Sequence, residues 1–481
     1  MVPIMKTPHA SSDNVRKLCG AIVLLWALLT GSAPAQQTPP TAPALTPASA
    51  SSVGSQPKAR TDTSQIKLGA TCITSDCHAD LKKAKFTHGP VNLNQCQPCH
   101  EPVDNKHVFA KGKEGPAQCF ICHEQAAPKK VVHSPFAADC TACHDPHGSN
   151  ARHFIKANGA ELCLKCHGKV TAGMSVIHGP VGMGQCVVCH TPHQSDFKHL
   201  LVEAPEKICL DCHVDVQQSM QGAVSVHKPA MQDCSGCHNA HGGNNKNMLV
   251  AEGKALCQKC HGDFLKQVNQ FKFPHQPMAE GKACQNCHKP HSSNQARLLK
   301  GENMELCLSC HNKPIEAGKR TIANVEAQIK DSKFLHGPIR QHNCIACHEA
   351  HGSDFANILD KAFPADFYAP YQEHTYDLCF NCHDRQIVLS EKSKATGFRN
   401  GERNLHFLHV NRDKGRSCRA CHDEHASNQP KHIRAEVAFG RWTFQTEYTQ
   451  TPTGGGCTTG CHLPYKYDRE KPIDNKPVAM K

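Results

Sequence analysis

Thirty cysteines between residues 72 and 461 fall into fifteen pairs, and a histidine follows the second cysteine of every pair. Thirteen pairs have the form Cys-x-x-Cys-His. They are Cys96, Cys99 and His100; Cys119, Cys122 and His123; Cys140, Cys143 and His144; Cys163, Cys166 and His167; Cys186, Cys189 and His190; Cys209, Cys212 and His213; Cys234, Cys237 and His238; Cys257, Cys260 and His261; Cys284, Cys287 and His288; Cys307, Cys310 and His311; Cys344, Cys347 and His348; Cys379, Cys382 and His383; and Cys418, Cys421 and His422. The outermost two are wider: Cys72, Cys77 and His78 have four residues between the cysteines, and Cys457, Cys461 and His462 have three. Zinc sites and disulfide frameworks also use close cysteines, but neither demands a histidine directly after the second one. Covalent haem does. Two thioethers fix the porphyrin, and the adjacent imidazole reaches the iron from one face.

Such sites also answer a question that composition raises. The chain has 481 residues but only 18 Phe, 6 Tyr and 2 Trp. Without cysteine, about a third of the residues are apolar, thin for a large core. Porphyrin is expected to fill the interior instead. Export is expected too. Residues 1–35 read as a signal peptide, with Arg16-Lys17 before an apolar run and Ala33-Pro34-Ala35 as its cleavage site. Cys19 falls inside it. Residues 36–65 form a Pro/Ala/Ser/Thr-rich linker, and residues 66–481 the haem domain, with insertions at 312–335, 352–378 and 384–417.

The sites alternate between two kinds. B sites begin at Cys96, Cys140, Cys186, Cys234, Cys284, Cys344 and Cys418, and the others are A sites. For the first five B sites, the step to the next A site is always 23 residues, whereas the A-to-B step drifts from 21 to 39. A constant step implies a fixed geometrical relation and a drifting one a tolerant loop. Each B site carries a histidine 7 to 9 residues upstream: His88, His133, His178, His227, His275, His336 and His409. Six carry another three residues after the proximal one: His147, His193, His241, His291, His351 and His425. The latter are too near their own proximal histidine to reach the opposite face of the same iron, so a neighbouring haem is their expected target. The first unit lacks this residue, and His107 is its substitute. One more distal ligand is required, from His342, His374, His406 or His432, and His374 is favoured. His153 and His199 share a slot that elsewhere holds Asn247, Arg297 and Asn357, which argues for a surface or propionate contact.

The block from His178-Gly179-Pro180 through Cys189-His190-Thr191-Pro192-His193 resembles the doubled-CXXCH multihaem cytochrome c family. The resemblance implies a mostly irregular chain with short α-helices, an elongated repeat array around a haem core, and about fifteen haem c groups. It implies electron transfer, with redox-partner cytochromes or a quinol-oxidising donor upstream and a porin or extracellular acceptor beyond. The alternative is a multihaem reductase of a small nitrogen or sulfur oxyanion, which requires one open haem; otherwise no catalytic residue is expected. A periplasmic or outer-surface location and no membrane span of its own follow. A β-hairpin is expected around Gly440-Arg441, and a helix through Ile322, Val325 and Ile329. The formal charge of +12 does not point to nucleic acid. Propionates on fifteen haems bring the oxidised protein to roughly −5 after the leader is removed.

Overall fold

A computed structural model describes residue 64 and residues 71–475, apart from 76, 281 and 319. The chain divides between Thr63 and Ser64, and all the described residues belong to the second unit, Ser64–Lys481. The expected signal peptide and nearly all of the linker lie outside the described residues.

Within the second unit regular structure is short. In the A sites from Cys163 to Cys379, the first cysteine lies on or just after an α-helix, as in Ala160–His167, Pro205–Ile208 and Gly253–Val268. From Cys140 onward, the B sites sit on three- or four-residue 3-10 turns, as in Cys186–Val188 and Cys344–Ala346. Either way the peptide N–H of His190 or His213 donates to the carbonyl of the first cysteine four residues back, at 3.0 Å. That single turn puts both thiols on one side with the imidazole beside them.

The units are joined by two-residue antiparallel ladders. Phe86–Thr87 pairs with Gly148–Ser149, Val131–Val132 with Gln194–Ser195, and Val176–Ile177 with Gly242–Gly243. Ser225–Val226 pairs with Ser292–Ser293, Phe273–Pro274 with Gly352–Ser353, and Phe334–Leu335 with Ala426–Ser427. Each ladder therefore runs from one unit to the next. The backbones approach closely: a Cβ on Gly242, at φ +155°, would stand 2.4 Å from the Val176 carbonyl oxygen. In six units a left-handed dipeptide follows, from His153-Phe154 to Lys431-His432, with all φ values between 51° and 61°.

Apolar packing is concentrated near the C-terminus. Tyr376, Val388 and Val410 form a buried cluster with Phe363, Tyr371 and Phe380 against it; all come from the long insertions except Phe380, which lies inside the Cys379 attachment motif. The expected hairpin is there, Glu436–Phe439 with Trp442–Gln450, and Gly454–Thr459 and His462–Asp468 extend it to a four-stranded sheet. The last attachment pair thus lies on a strand hairpin and not on a helical turn. An extra residue between Cys457 and Cys461 replaces the i, i+3 alignment that a helical turn supplies. The helix expected from Ile322 begins only at Val325, capped by Asn324, whose Oδ1 accepts from the Ala327 N–H. Ile322 instead ends a short strand, Arg320–Ile322, paired with Ile315–Ala317. Among the described residues no helix is long and apolar enough to cross a membrane.

Candidate functional site

Every histidine that follows an attachment pair faces one other imidazole, nearly ring to ring. At the A sites the pairs are His78 with His107, His123 with His88, His167 with His133 and His213 with His178. They continue with His261 and His227, His311 and His275, His383 and His336, and His462 and His409. At the B sites they are His100 with His147, His144 with His193, His190 with His241 and His238 with His291. His288 faces His351, His348 faces His425 and His422 faces His406. Centroid separations run from 5.9 Å at His78–His107 to 6.5 Å at His409–His462. A metal bonded to one nitrogen of each ring at about 2 Å would itself put the centroids about 6 Å apart.

The ring nitrogens are prepared for that role. At six B sites the proximal Nδ1–H donates to a backbone carbonyl nine residues on: His144 to His153 (2.7 Å), His190 to His199 (2.8 Å), His238 to Asn247 (2.8 Å), His288 to Arg297 (2.9 Å), His348 to Asn357 (3.0 Å) and His422 to Lys431 (2.9 Å). Distal rings do the same: His88 Nδ1 donates to the Pro146 carbonyl and His133 to Pro192, both at 2.8 Å. A carbonyl only accepts, so Nδ1 holds the proton and Nε2 keeps its lone pair. Burial keeps many rings neutral. It lowers the pKa of His348, His422 and His425, and brings His406 down to about 3.

The slot that holds His153, His199, Asn247, Arg297 and Asn357 thus works through its carbonyl, in the left-handed conformation. Its side chain is immaterial to the bond, and this is why the position tolerates such different residues. A buried serine was also missed by sequence reasoning. Ser195 and Ser427 donate to the Leu201 and Ile433 carbonyls, at 2.5 and 2.6 Å, and accept from Phe197 N–H and Gln429 N–H. Ser149 repeats the pattern, and its recurrence two residues after the distal histidine was the available signal.

The ladders supply the fixed relation between a B site and the next A site, and the sixth keeps it although its step is longer. His88 N–H donates to the His147 carbonyl, His133 to His193, His178 to His241, His227 to His291, His275 to His351 and His336 to His425. In each pair one histidine faces a B site and the other faces the next A site. The two sites are therefore tied through hydrogen-bonded partners. Proline two residues after the upstream histidine starts the next helical turn and fixes the bend, as at His88-Gly89-Pro90 and His227-Lys228-Pro229.

The ends depart from this scheme. His107 faces His78 of the first site. His374 is exposed, its Nδ1 2.8 Å from Asp377 Oδ2, and faces no attachment histidine; the ring opposite His422 is His406. His406 is oriented by Thr396, 2.8 Å from its Nδ1. The preference for His374 is thus corrected. His374 lies in a lengthened segment where spacing no longer reports position, and Asp377 holds its ring.

Attachment cysteines of successive sites are neighbours along the whole row. Burial, and after it the adjacent thiols, raise the pKa of Cys96 beside Cys72, Cys119 beside Cys99 and Cys140, Cys163 beside Cys143 and Cys186, and Cys257 beside Cys237 and Cys284. The same holds for Cys347 beside Cys379 and Cys421 beside Cys457. For Cys209, Cys307 and Cys379 the larger cause is a hydrogen bond with Cys234, Cys344 and Cys418, ahead of burial; Cys189 and Cys287 also act on the first two. Thioether formation would abolish these titrations and leave the adjacency. None of the thirty cysteines is in a disulfide. Among the described residues no three His, Cys, Asp or Glu side chains converge as a zinc site requires. Apolar residues inside the motifs, such as Val187 at 65% and Val188 at 51% exposure, present surface that a porphyrin would cover.

A family model for the doubled CXXCH motif matches residues 88–128, 133–172, 178–218, 227–266, 275–316 and 336–387, together just over half of the chain. The chain belongs to that family. It is a multihaem c-type cytochrome. No curated protein matches it. Each matched segment begins at an upstream histidine, from His88 to His336, and holds one B site followed by one A site. The doubled CXXCH unit thus pairs its own A site internally and leaves its B site to be paired by the next unit.

Proposed function

We propose that the protein carries fifteen covalent haems, each held by histidine on both faces, and conducts electrons along the row they form. The observation that supports this is the set of fifteen facing imidazole pairs, one for every attachment motif. Haem, when bound, supplies a one-electron iron couple. The chain's residues do the rest. Paired cysteines would fix each porphyrin edge, backbone carbonyls hold the Nδ1–H of the six proximal rings and of His88 and His133 described above so that Nε2 is left for the metal, and inter-unit ladders keep neighbouring sites in fixed relation. With histidine on both faces, no iron is left open to a substrate. The absence of a Met partner favours low potentials.

The signal peptide expected over residues 1–35 supports work outside the cytoplasm, in the periplasm or at the outer surface. A donor cytochrome or quinol-oxidising complex would load the row, and an outer-membrane porin complex or an extracellular acceptor would unload it. The test is carbon monoxide added to the fully reduced protein, matured in a host that attaches c-type haem, with intact mass measured on the same sample. Fifteen haems and no carbon monoxide adduct are expected. One haem that binds carbon monoxide rapidly and stoichiometrically would overturn the carrier reading in favour of a reductase. A mass with thirteen haems would overturn the reading of the Cys72 and Cys457 motifs.

A further inference from the structure

Two polar groups immediately before the attachment cysteine Cys418 have nothing to bind. Arg416 Nε is buried without a hydrogen-bond partner, and so is the Oγ of Ser417, a residue only 2% exposed. The backbone fixes both. Arg416 N–H donates to the carbonyl of His409 at 2.8 Å, and Ser417 N–H to that of Phe367 at 2.9 Å. Gly415 packs so tightly that a Cβ there would stand 2.0 Å from the Val410 carbonyl oxygen. Some arginines of this region have carboxylates: Arg434 contacts Asp423 and Glu424, each at 3.1 Å, and Arg385 contacts Asp377 at 3.0 Å. Among the described residues Arg416 has no such ion pair.

An unpaired guanidinium and a buried unpartnered hydroxyl side by side are costly, and a chain keeps them where an anion completes them. The Arg416 charge is felt at His409, which faces His462 of the last site, and at Cys421 of the site before it. Each porphyrin brings two carboxylates of its own. We propose that Arg416 and Ser417 bind a propionate of one of the two C-terminal porphyrins, and so raise that haem's reduction potential. This rests on the haem reading above. Arginine suits the role because its planar fork matches a carboxylate. A cation there compensates the propionate charge and favours the ferrous core, which carries one positive charge fewer than the ferric one.

The test is a spectroelectrochemical titration of the matured holoprotein and of Arg416→Gln, Arg416→Lys and Ser417→Ala, with haem number read by intact mass. Arg416→Gln is expected to move one step of the titration to lower potential with all haems retained and low-spin. Arg416→Lys should restore most of that shift, Ser417→Ala should give a smaller one in the same direction, and Arg297→Gln should give none. An unchanged titration in Arg416→Gln, or an equal shift in Arg416→Lys, would overturn the proposal. If Arg416→Gln does not mature, Ser417→Ala and Arg416→Lys decide it in the same way. Too few haems in the unsubstituted protein would instead overturn the haem reading.

Discussion

A single side chain decides little in this protein unless it is a histidine or a residue that orients one. His406→Ala is expected to open the iron opposite His422 and convert one haem to high spin, whereas His374→Ala should leave the low-spin spectrum unchanged. Magnetic circular dichroism of the oxidised protein would show which holds. His193→Ala should act like His406→Ala, at the His144 site. Acid should test the same residues. The folded pKa of His406 lies near 3, below the usual value of 6.5, so the unfolded chain takes up the proton first. Its contribution to stability is intact above about pH 6.5 and is lost progressively as pH falls toward about 3. With the ring on iron a proton must also displace the metal, so the Soret band should change only below about pH 6.5. The slot at Arg297 makes the opposite case. Because only its left-handed backbone and carbonyl are used, Arg297→Asn should keep the spectrum and cost no stability, and could gain up to about 1 kcal/mol from relieved backbone strain. Most of the facing histidine pairs were legible because the spacing of their residues repeats. His406 was not, since the last B site has no following unit to supply its partner, and the replacement comes from an insertion outside the repeat.

At the scale of elements, the short helix Leu405–Val410 carries both His406 and His409, and Asn404 anchors it. Asn404 is fully buried. Its Oδ1 accepts from His406 N–H and Phe407 N–H, and its Nδ2 donates to the Ile387 and Ser390 carbonyls. Asn404→Ala removes a helix cap and leaves two buried carbonyls short of a donor. A loss of about 2 kcal/mol in chemical denaturation is expected, with weakened ligation at the last two sites. The two-residue ladders could not be read from sequence. Their strands are too short to show alternation, and their register comes from the histidines they carry. The C-terminal hairpin was visible through alternation at Val437, Phe439, Trp442 and Phe444. Its growth to four strands was hidden because Gly454-Gly455-Gly456 reads as a loop. In the sheet these glycines serve close packing: a Cβ on Gly454 would lie 1.9 Å from the Tyr467 carbonyl oxygen.

For the molecule as a whole, each unit bonds to the next by one ladder and one facing histidine pair, the relation expected of a linear array. Small-angle scattering of the holoprotein should report an extended particle, and a compact sphere would defeat the array model. The way a unit divides its ligands has a consequence for length. Because it pairs its own A site and lends one histidine backward to the preceding B site, units can be removed whole without stranding an iron. Deletion of residues 178–226 should yield a protein with thirteen haems, all low-spin, in which His144 takes His241 as its partner. A deletion that ends mid-unit should leave one haem high-spin. Only the ends need special pieces: His107 acts as an initiator for the first site, and His406 with the strand hairpin of Cys457 as a terminator. Between them the chain behaves as a polymer of interchangeable monomers, and duplication of a gene segment is enough to lengthen the wire.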